Sequence, residues 1–490
     1  MKLSQLLKIA GIKNEPVRDF TVSGLAYDSR RINSGFIFFA IKGFKEDGNN
    51  YIKKALEDGA NAVITDSESA KGINIDNVFG VDDVRKTMAR MAFEFYGRPT
   101  DKLNLIGVTG TNGKTTITYL LRHIFETAGF KCGLVGTIDY VTGAKKQESK
   151  LTTPDSIEIN AMLKEMVDNG IEYCFMEVSS IALVLHRVYG LEYKAGVFTN
   201  LTSEHLDLHK NMQNYFEAKK ILFDNLDSIA GAVSNMDDIY GIGIVKNTKA
   251  RKIYYSLNSK EAEFRAVNEK ITMDGISFDL LHKNKMYEFK SGLTGRFNIY
   301  NILAAVGCAK YLKVDIETIQ KAILSFGAVN GRFNKIKLPN DAYAVIDYSH
   351  TSDSLKNAVE SAVEIRNLNP RKGRVITIFG CGGNKDRTKR PAMGEISTTL
   401  SDYTIITSDN PRFEDPNDII NEILAGVKTK DNYEVNANRE EAIKRGIEIS
   451  RKDDIVLICG KGHETYQEVK GVRSHFDDKE IVEKYFHLAK

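Results

Sequence analysis

Apolar runs of strand length alternate with amphipathic segments of helix length along most of this 490-residue chain. GFIFFAIKG (35–43), LNLIGV (103–108) and RVITIF (374–379) have the length and the β-branched or aromatic content of buried strands. YIKKALEDG (51–59) instead has a helical period and reaches a glycine, Gly59, where a helix can end. Strands that alternate with helices are typical of parallel sheets with helical crossover connections. The pattern therefore predicts an α/β fold.

The alternation falls into three blocks, and a chain of this length exceeds the roughly 300 residues that one hydrophobic core organises. We therefore predict three domains, at 1–98, 99–329 and 330–490. The second block contains the further strands EYCFMEV (172–178), AGVFTN (195–200) and GAVSN (231–235) and ends with helices at 297–312 and around 316–325. In the third block, a helical segment is predicted after each of the runs YAVIDYS (343–349), RVITIF, YTIITS (403–408) and DIVLIC (454–459). The turn GAVNGR (327–332) is the predicted hinge, because two glycines and an asparagine interrupt the helical pattern.

Composition narrows the class of protein. Apolar residues make up 42% and charged residues 27% of the chain, with a formal net charge of +3, as in a globular protein without a clustered basic patch. We therefore expect no nucleic-acid partner. The five cysteines have no CxxC spacing, which favours buried, reduced thiols over a zinc site. No run of about 18 apolar residues exists and the N-terminus lacks a cleavage site, so we expect a cytoplasmic protein without membrane insertion. We also expect a monomer.

The segment GVTGTNGKTT (107–116) lies between a predicted strand and a predicted helix. A glycine-rich turn that opens a helix aims unpaired backbone N–H groups at one point and so can bind phosphate oxygens. Lys114 would neutralise the β and γ phosphates of a nucleotide, and the Thr115 hydroxyl would reach Mg²⁺. The spacing departs from the strict G-x-x-x-x-G-K-[ST] pattern, because Val108 stands where a glycine is required. An ordinary strand-to-helix turn is the alternative.

GTNGKTT resembles the ATP motif of the Mur ligases and of the related folylpolyglutamate synthetases. Further motifs of the Mur ligases follow in order: TTPD (152–155), EVSS (177–180), TNLTSEHLDLH (199–209), YFEAKKILF (215–223), GRFN (295–298), NGRF (330–333), DYSHT (347–351), GCGGNKDRTKRPAMG (380–394), DNPRFEDP (409–416) and GKGHETYQ (460–467). Together with the segment YDSRRINSGFIFFAIKGFKEDG (27–48), the resemblance covers essentially the whole chain. It implies an N-terminal UDP-binding α/β domain, a central P-loop ATPase domain with a mostly parallel sheet, and a C-terminal Rossmann-like α/β domain.

The resemblance also implies an activity. It is that of an ADP-forming amide ligase of peptidoglycan synthesis, which adds meso-2,6-diaminopimelate to the D-glutamate γ-carboxylate of a UDP-N-acetylmuramoyl dipeptide through an acyl phosphate. Three alternatives stay open: addition of L-lysine or another diamino acid, a folylpolyglutamate synthetase, and a P-loop switch protein that forms no amide. A folylpolyglutamate synthetase would lack the UDP segment and the DNPR motif.

The nucleotide and metal residues follow from the same resemblance. The ATP-binding residues are Thr109, Gly110, Thr111, Asn112, Gly113, Lys114, Thr115, Thr116, Asn298, Asn301, Arg332 and Asp347. The Mg²⁺ ligands are Thr115, Glu177, His205 and Lys219, the last after CO₂ has converted its amine to a carbamate. Lys114, Glu177, His205 and Lys219 are the catalytic set. From spacing alone, Lys219 would be a solvated lysine, Glu177 a helix cap or surface ion pair, Asn298 a helix cap and Arg332 a hinge ion pair.

Substrate residues are implied with some departures from the family pattern. The uridine nucleotide would contact Ser29, Phe44, Lys45 and Glu46, and the muramoyl peptide would contact Thr152, Thr153, Ser179 and Arg187. Residues that replace the usual polar groups or proline of the family are Leu151, Ile181, Leu185 and Ser352. The diaminopimelate residues are Arg390, Asp409, Asn410, Pro411, Arg412, Gly460 and Glu464. Arg412 offers a planar fork to the distal carboxylate, and Glu464 can receive the distal ammonium.

Overall fold

The computed structural model describes residues 1–43, 46–73, 75–369, 371–428 and 431–489, without the side chains of Leu206 and Asp207. Phe44 and Lys45, two of the predicted uridine contacts, lie outside the described residues. All five cysteines are buried with free thiols, as the sequence predicted. Among the described residues, no helix combines the length and apolar character needed to cross a bilayer.

The first sheet is small and parallel. Its strands pair in chain order and are β1 (Gly24–Ala26), β2 (Phe36–Phe39), β3 (Ala60–Asp66) and β4 (Val78–Val81). The helices around it are α1 (Leu3–Ile9), α2 (Ile52–Glu57), α3 (Ser67–Ala70) and α4 (Val84–Phe95), and the 3₁₀ turns here are Ser29–Arg31, Gly48–Tyr51 and Pro99–Asp101. The alternate positions Ile37 and Phe39 of β2 pack with Leu3 and Met88, which closes a core on one face of the sheet.

The second sheet has eleven strands within the described residues. They are β5 (Asn104–Thr109), β6 (Cys132–Val135), β7 (Asp139–Val141), β8 (Lys146–Glu148), β9 (Tyr173–Glu177), β10 (Tyr193–Phe198), β11 (Gly231–Asn235), β12 (Arg251–Ser256), β13 (Phe264–Ile271), β14 (Ile276–His282) and β15 (Lys285–Ser291). Their spatial order is β15-β14-β13-β12-β11-β10-β5-β9-β6-β7-β8. From β13 to β6 the neighbours are parallel, and the outer strands at both edges are antiparallel.

Helices cover the middle of this sheet. They are α5 (Lys114–Thr127), α6 (Ser156–Asp168), α7 (Ser180–Val184), α8 (Leu206–His209), α9 (Met212–Asp224), α10 (Gly241–Ile244), α11 (Arg296–Tyr311) and α12 (Ile316–Ser325). In α5 the buried residues Ile117, Leu120, Leu121 and Ile124 recur at helical spacing, so one face packs on the sheet. The chain leaves β5 toward β6 on one side and leaves β9 toward β10 on the other. Such divergence opens a crevice at the carboxyl ends of parallel strands, which here are Thr109 and Glu177.

The third sheet has six strands: β16 (Asn334–Lys337), β17 (Tyr343–Asp347), β18 (Val375–Phe379), β19 (Tyr403–Ile406), β20 (Tyr433–Val435) and β21 (Ile455–Cys459). Its order is β16-β17-β21-β18-β19-β20, and only the edge pair β16–β17 is antiparallel within the described residues. The helices are α13 (Ser352–Leu368), α14 (Lys389–Leu400), α15 (Pro416–Leu424), α16 (Arg439–Glu448) and α17 (Asp478–Tyr485), with a 3₁₀ turn at Phe486–Leu488.

One prediction in this block is wrong. A helix does not follow β21 directly, because the hairpin β22 (Tyr466–Val469) and β23 (Val472–His475) comes first. Lys470 and Gly471 at its turn both have positive φ, 50° and 79°, which suits a two-residue turn whose twist matches the strands. The α/β class and the mostly parallel central sheet are confirmed, whereas the boundaries 1–98, 99–329 and 330–490 stay predictions.

Candidate active site

The loop between β5 and α5 is packed so closely that glycine is required at two of its positions. Gly110 has φ 148°, and a Cβ there would lie 1.8 Å from Thr199 Oγ1. Gly113 has φ 87°, and a Cβ there would lie 2.5 Å from Asn301 Oδ1. The backbone therefore approaches its neighbours without side chains, and α5 begins at Lys114 immediately after it.

Polar contacts hold the remaining loop residues in place. Asn112 N donates to Asn200 Oδ1 at 2.9 Å, and Thr199 Oγ1 donates to Asn112 O at 2.6 Å. The Thr111 and Tyr215 hydroxyls lie 3.3 Å apart. Thr109 ends β5 and Thr116 lies in the first turn of α5, and both are buried. The predicted loop residues are thus gathered around one helix N-terminus.

Two lysines converge on one carbonyl of this loop. Lys114 Nζ donates to Gly110 O at 2.9 Å and to Thr111 O at 2.7 Å, and Lys219 Nζ donates to the same Gly110 O at 2.8 Å. Lys219 is 1% exposed, and its amine lies 4.5 Å from the centre of the Tyr215 ring. Burial lowers the pKa of both amines, and the charge of Lys114 lowers the pKa of Lys219 further. The carboxylates of Glu204 and Glu177 raise the pKa of Lys114, and that of Glu204 raises the pKa of Lys219, against the larger effect of burial.

Glu177 lies beside this loop at the end of β9 and is fully buried. Thr115 Oγ1 donates to Glu177 Oε2 at 3.1 Å, and Thr137 donates through its N–H at 2.8 Å and its hydroxyl at 3.0 Å. Arg332 Nη2, from the last residue of the predicted hinge, donates to Thr115 Oγ1 at 3.1 Å. The surface-ion-pair alternative for Glu177 does not describe this carboxylate, because it has no access to solvent.

The fit of this region to Mg²⁺ is partial. Thr115 and Glu177 bring together a hydroxyl and a carboxylate, the oxygen ligands that Mg²⁺ prefers. His205 has φ 57°, and its ring lies 6.2 Å from that of Tyr215, between centroids. Among the described residues, no three His, Cys, Asp or Glu side chains are close enough to hold a metal ion. Thr115 and Glu177 are thus the two predicted metal ligands that the structure brings into contact.

The predicted adenine-side residues lie next to the loop. Asn301 Nδ2 donates to Asn298 Oδ1 at 2.9 Å, and Asn298 Nδ2 donates to Thr294 O at 2.8 Å. The N-cap of α11 is Gly295, so Asn298 does not cap this helix. Asp347 accepts from Phe333 N at 2.8 Å, and this bond fixes the backbone directly after Arg332.

The residues predicted for the muramoyl peptide form one connected group beside Glu177. Thr153 Oγ1 donates to Glu177 O at 2.8 Å and accepts from Ser179 N at 3.1 Å. Arg187 Nη1 donates to Thr153 O at 2.9 Å, and the Thr152 and Thr137 hydroxyls are 3.1 Å apart. Glu177 therefore contacts both a residue predicted for the peptide, Thr153, and a residue predicted for ATP, Thr115.

The first sheet carries the two described residues of the predicted uridine contacts. Ser29 begins a 3₁₀ turn and is half-buried, and Glu46 is exposed and accepts from the Tyr51 hydroxyl at 3.2 Å. The Tyr27 hydroxyl donates to Glu158 Oε1 at 3.0 Å, which ties the first sheet to α6. We call the parts of the chain built on the first, second and third sheets the first, second and third units. Ser29 therefore lies close to a contact between the first and second units.

The residues predicted for the diamino acid meet between the loops after β19 and β21. Asn410 Nδ2 donates to Glu464 Oε2 at 2.8 Å. Arg412 has φ 54°, is 21% exposed at its side chain and donates to Gly383 O at 2.9 Å. Gly460 has φ 119°, and a Cβ there would lie 2.5 Å from Asp409 Oδ2. Pro411 O accepts from Glu414 N at 3.1 Å, which shapes the turn that presents Arg412.

Arg390 is placed differently from the other members of this set. Its side chain is 0% exposed, and its guanidinium donates to both carboxylate oxygens of Glu414, at 2.8 and 2.9 Å, and to Glu422 at 2.8 Å. Arg390 also lowers the pKa of Glu414 to about 2. Its contact with a ligand stays a prediction, and the bonds described here hold the loop after Arg412 in place.

Two buried cations of this region are not predicted by the sequence motifs. Lys461 lies between Asn410 and Glu464, with its Nζ 3.1 Å from Asn410 Oδ1. Arg439 forms an ion pair with Asp478 at 2.7 Å, with both side chains 0% exposed. Arg439 also donates to Ser408 O at 3.4 Å and to Cys459 O at 3.0 Å, the carbonyls that precede the two loops. Two flanking glycines were the sequence signal that could have drawn attention to Lys461. No sequence signal indicates that Arg439 pairs with Asp478.

Comparison with known proteins follows the same three units. The family model described as "Mur ligase family, catalytic domain" matches residues 21–96, "Mur ligase middle domain" matches 108–309, and "Mur ligase, glutamate ligase domain" matches 331–462. A Clostridium acetobutylicum protein named UDP-N-acetylmuramoyl-L-alanyl-D-glutamate–2,6-diaminopimelate ligase 1 is 42% identical over 490 residues, 99% of each chain. A Phocaeicola vulgatus protein named as the ligase of the same substrates is also 42% identical, with 99% of each chain covered.

A solved structure of a protein named UDP-N-acetylmuramoyl-L-alanyl-D-glutamate–2,6-diaminopimelate ligase is 29% identical to the chain, with a TM-score of 0.70. The match covers 99% of each of the two chains. Similarity in sequence and in three dimensions therefore extends over all three units. The chain belongs to the Mur ligase family.

Proposed function

We propose that this protein catalyses the UDP-N-acetylmuramoyl-tripeptide synthetase step of peptidoglycan synthesis. In this reaction, ATP drives addition of meso-2,6-diaminopimelate to the D-glutamate γ-carboxylate of UDP-N-acetylmuramoyl-L-alanyl-D-glutamate. Full-length relatives named for these substrates support the proposal. The observation that carries it is the convergence of two lysine amines on Gly110 O at the start of α5, where positive charge and the first N–H groups of a helix suit a polyanion.

The reaction needs an activated carboxylate, because a carboxylate and an amine do not condense in water. The γ-phosphoryl group of ATP passes to a carboxylate oxygen, ADP leaves, and the acyl phosphate then releases phosphate when the amine attacks its carbonyl carbon. Such transfer depends on positioning and charge neutralisation more than on covalent catalysis. Lys114 and the loop amides would bind the β and γ phosphates, and Thr153, Ser179 and Arg187 would hold the peptide beside them.

Mg²⁺ would be held by Thr115, Glu177, His205 and the Lys219 carbamate. When bound, it supplies positive charge to the phosphate oxygens during transfer. Two hydrogen bonds join the second and third units beside the loop. Arg332 donates to Thr115, and the Thr202 hydroxyl donates to Asp353 at 2.6 Å, which supports a site that the third unit closes. Closure of this kind excludes water from an acyl phosphate.

A ligation assay tests the proposal directly. The purified protein is incubated with the UDP-dipeptide, ATP and a panel of diamino acids, and the product is identified by mass. Release of ADP and phosphate is expected only when the UDP-dipeptide and diaminopimelate are both present. Preferred addition of L-lysine would indicate a lysine-adding ligase, and a folate product would indicate a folylpolyglutamate synthetase. ATP hydrolysis without any amide product would indicate a P-loop switch protein.

Lys219 is expected to carry a carbamate. Its amine is buried with a low pKa, and a carbamate forms from the neutral amine. With ¹³C-bicarbonate, wild-type protein should give a carbamate ¹³C resonance that Lys219→Ala lacks, and that variant should lose about 10²–10³-fold in ligation rate. Lys220→Ala is the matched control, because the neighbouring Lys220 pairs with Asp224. A wild-type spectrum without the resonance at saturating bicarbonate contradicts the expectation.

Arg412→Ala is expected to raise KM for diaminopimelate by about 10- to 100-fold, the value of a lost charged hydrogen bond. KM for ATP and for the UDP-dipeptide should stay the same, because the side chain of Arg412 contacts Gly383 and Glu468, which are not among the residues predicted to bind either substrate. Initial rates with each substrate varied in turn provide the measurement. Arg473→Ala serves as the control, since Arg473 is 60% exposed on the adjacent hairpin and pairs with Glu468. An unchanged KM for diaminopimelate would remove Arg412 from the site.

A further inference from the structure

We propose that Lys461 is a positioning residue for the diamino acid, a role that rests on the function proposed above. Its buried ammonium holds Asn410 and Glu464 in the orientation in which these two side chains meet the distal end of the substrate. Neither the family resemblance nor the motif spacing assigns Lys461 a role.

The three side chains form a closed triangle. Lys461 Nζ donates to Asn410 Oδ1 at 3.1 Å and lies 3.5 Å from Glu464 Oε2, and Asn410 Nδ2 donates to the same Glu464 oxygen at 2.8 Å. Glu468 N also donates to Asn410 Oδ1, at 3.0 Å. The amide of Asn410 is thus fixed in one of its two flip states, because its oxygen faces two donors and its nitrogen faces a carboxylate.

The backbone of Lys461 is fixed as firmly as its side chain. It lies between Gly460 and Gly462, which have φ 119° and 54°. A Cβ at Gly462 would lie 2.7 Å from Tyr348 Cβ, so this glycine permits close packing against the loop after β17. The lysine side chain is 0% exposed and points its amine at the loop after β19, 5.4 Å from the centre of the Tyr466 ring.

Stability alone does not account for this buried lysine. Removing an ammonium from water is costly, and burial lowers the pKa of Lys461 despite the attraction of Asp409 and of Glu464 at 3.5 Å. The bonds of Lys461 instead reach the two side chains predicted to contact the diamino acid. Buried polar groups of this kind contribute most by selecting one arrangement of their partners.

The charge of Lys461 also keeps Glu464 suited to an ammonium. Burial and Asp409 raise the pKa of Glu464, whereas Lys461 and Asn410 lower it. The phenols of Tyr348 and Tyr466 also face this carboxylate; burial and the charge of Glu464 raise the pKa of both, so they stay neutral. Without Lys461, a larger fraction of Glu464 would be protonated and would bind a cation less well.

The test uses Lys461→Met and Lys461→Arg in the full-length enzyme, with the KM of each substrate measured over a range of pH. Lys461→Met is expected to raise KM for diaminopimelate about 10-fold, the loss of one charged hydrogen bond, with KM for ATP and the UDP-dipeptide unchanged. The acidic limb of kcat/KM for diaminopimelate should move to higher pH, because Glu464 loses the charge that lowers its pKa. Lys461→Arg should recover most of both changes. Lys470→Met, at the exposed hairpin turn, is the control.

A double-mutant cycle tests the same role in case Lys461→Met is less stable than the wild-type protein. In a Glu464→Gln background, Lys461→Met should add little to KM for diaminopimelate, because its partner is already gone. Equal increases in all three KM values, or full additivity in the cycle, would overturn the proposal in favour of a general structural role. Wild-type protein that forms no tripeptide product would instead overturn the proposed function, and that result is obtained before any variant is compared.

Discussion

Lys114→Ala is expected to lower the rate of amide formation by about 10²–10³-fold, the loss found when one preorganised donor to a developing charge is removed. In the structure its ammonium lies inside the loop that opens α5, 2.7 Å from Thr111 O and 2.9 Å from Gly110 O. It can exchange these carbonyls for phosphate oxygens without moving far. Alanine would leave Lys219 as the only lysine on Gly110 O and would remove the charge that meets the γ-phosphate.

Steady-state ligation with saturating ATP and diaminopimelate measures the effect of Lys114→Ala on kcat. Lys285→Ala is the matched control, because Lys285 is exposed at the start of β15 in the same unit. The variant should keep its folded state, since Gly110 O still accepts a hydrogen bond from Lys219 Nζ. Unaltered tripeptide formation by Lys114→Ala would refute the role of this loop as the phosphate site.

Arg439→Ala is expected to destabilise the third unit by about 3–5 kcal/mol, because it leaves Asp478 as an unpaired charge in the interior. Both side chains are 0% exposed, and the two nitrogen-to-oxygen bonds between them measure 2.8 and 2.7 Å. The substitution also removes the donors to Ser408 O and Cys459 O, which anchor the loops that carry Asn410 and Lys461. Diaminopimelate binding should therefore weaken together with stability.

Urea denaturation followed by amide hydrogen exchange in α16 and α17 can assign the loss to the third unit. The double variant Arg439→Met with Asp478→Leu should recover most of the free energy of unfolding, because it leaves no buried charge. Arg445→Ala is the control, since the Arg445–Glu434 pair is 49% and 30% exposed, and removing it should cost about 0–1 kcal/mol. A change of similar size for Arg439→Ala and Arg445→Ala would contradict the expected importance of burial.

Much of the fold and the phosphate loop could be predicted from the sequence because their signals are local. A buried strand, a glycine-rich turn and an amphipathic helix follow one another within 103–127, and each constrains its neighbours through the backbone alone. The strands β13, β14 and β15 were not predicted, although ISFDLLH alternates buried and half-buried positions as a strand with one buried face does. Their identity depends on antiparallel pairing with one another, which spacing along one segment does not fix.

Local patterns along the chain are enough to predict the α/β class, the three blocks and the contiguous glycine-rich loop before α5. The pairing of charges emerges only in the folded protein. The fold places Lys219 on the carbonyl of Gly110, 109 positions away, and Arg439 against Asp478, 39 positions away. It also buries Arg390 against two glutamates and Lys461 against Asn410 and Glu464. The physical reason is that the environment of a charge depends on which distant segments the sheet register brings together, whereas a contiguous motif carries its environment within its own backbone.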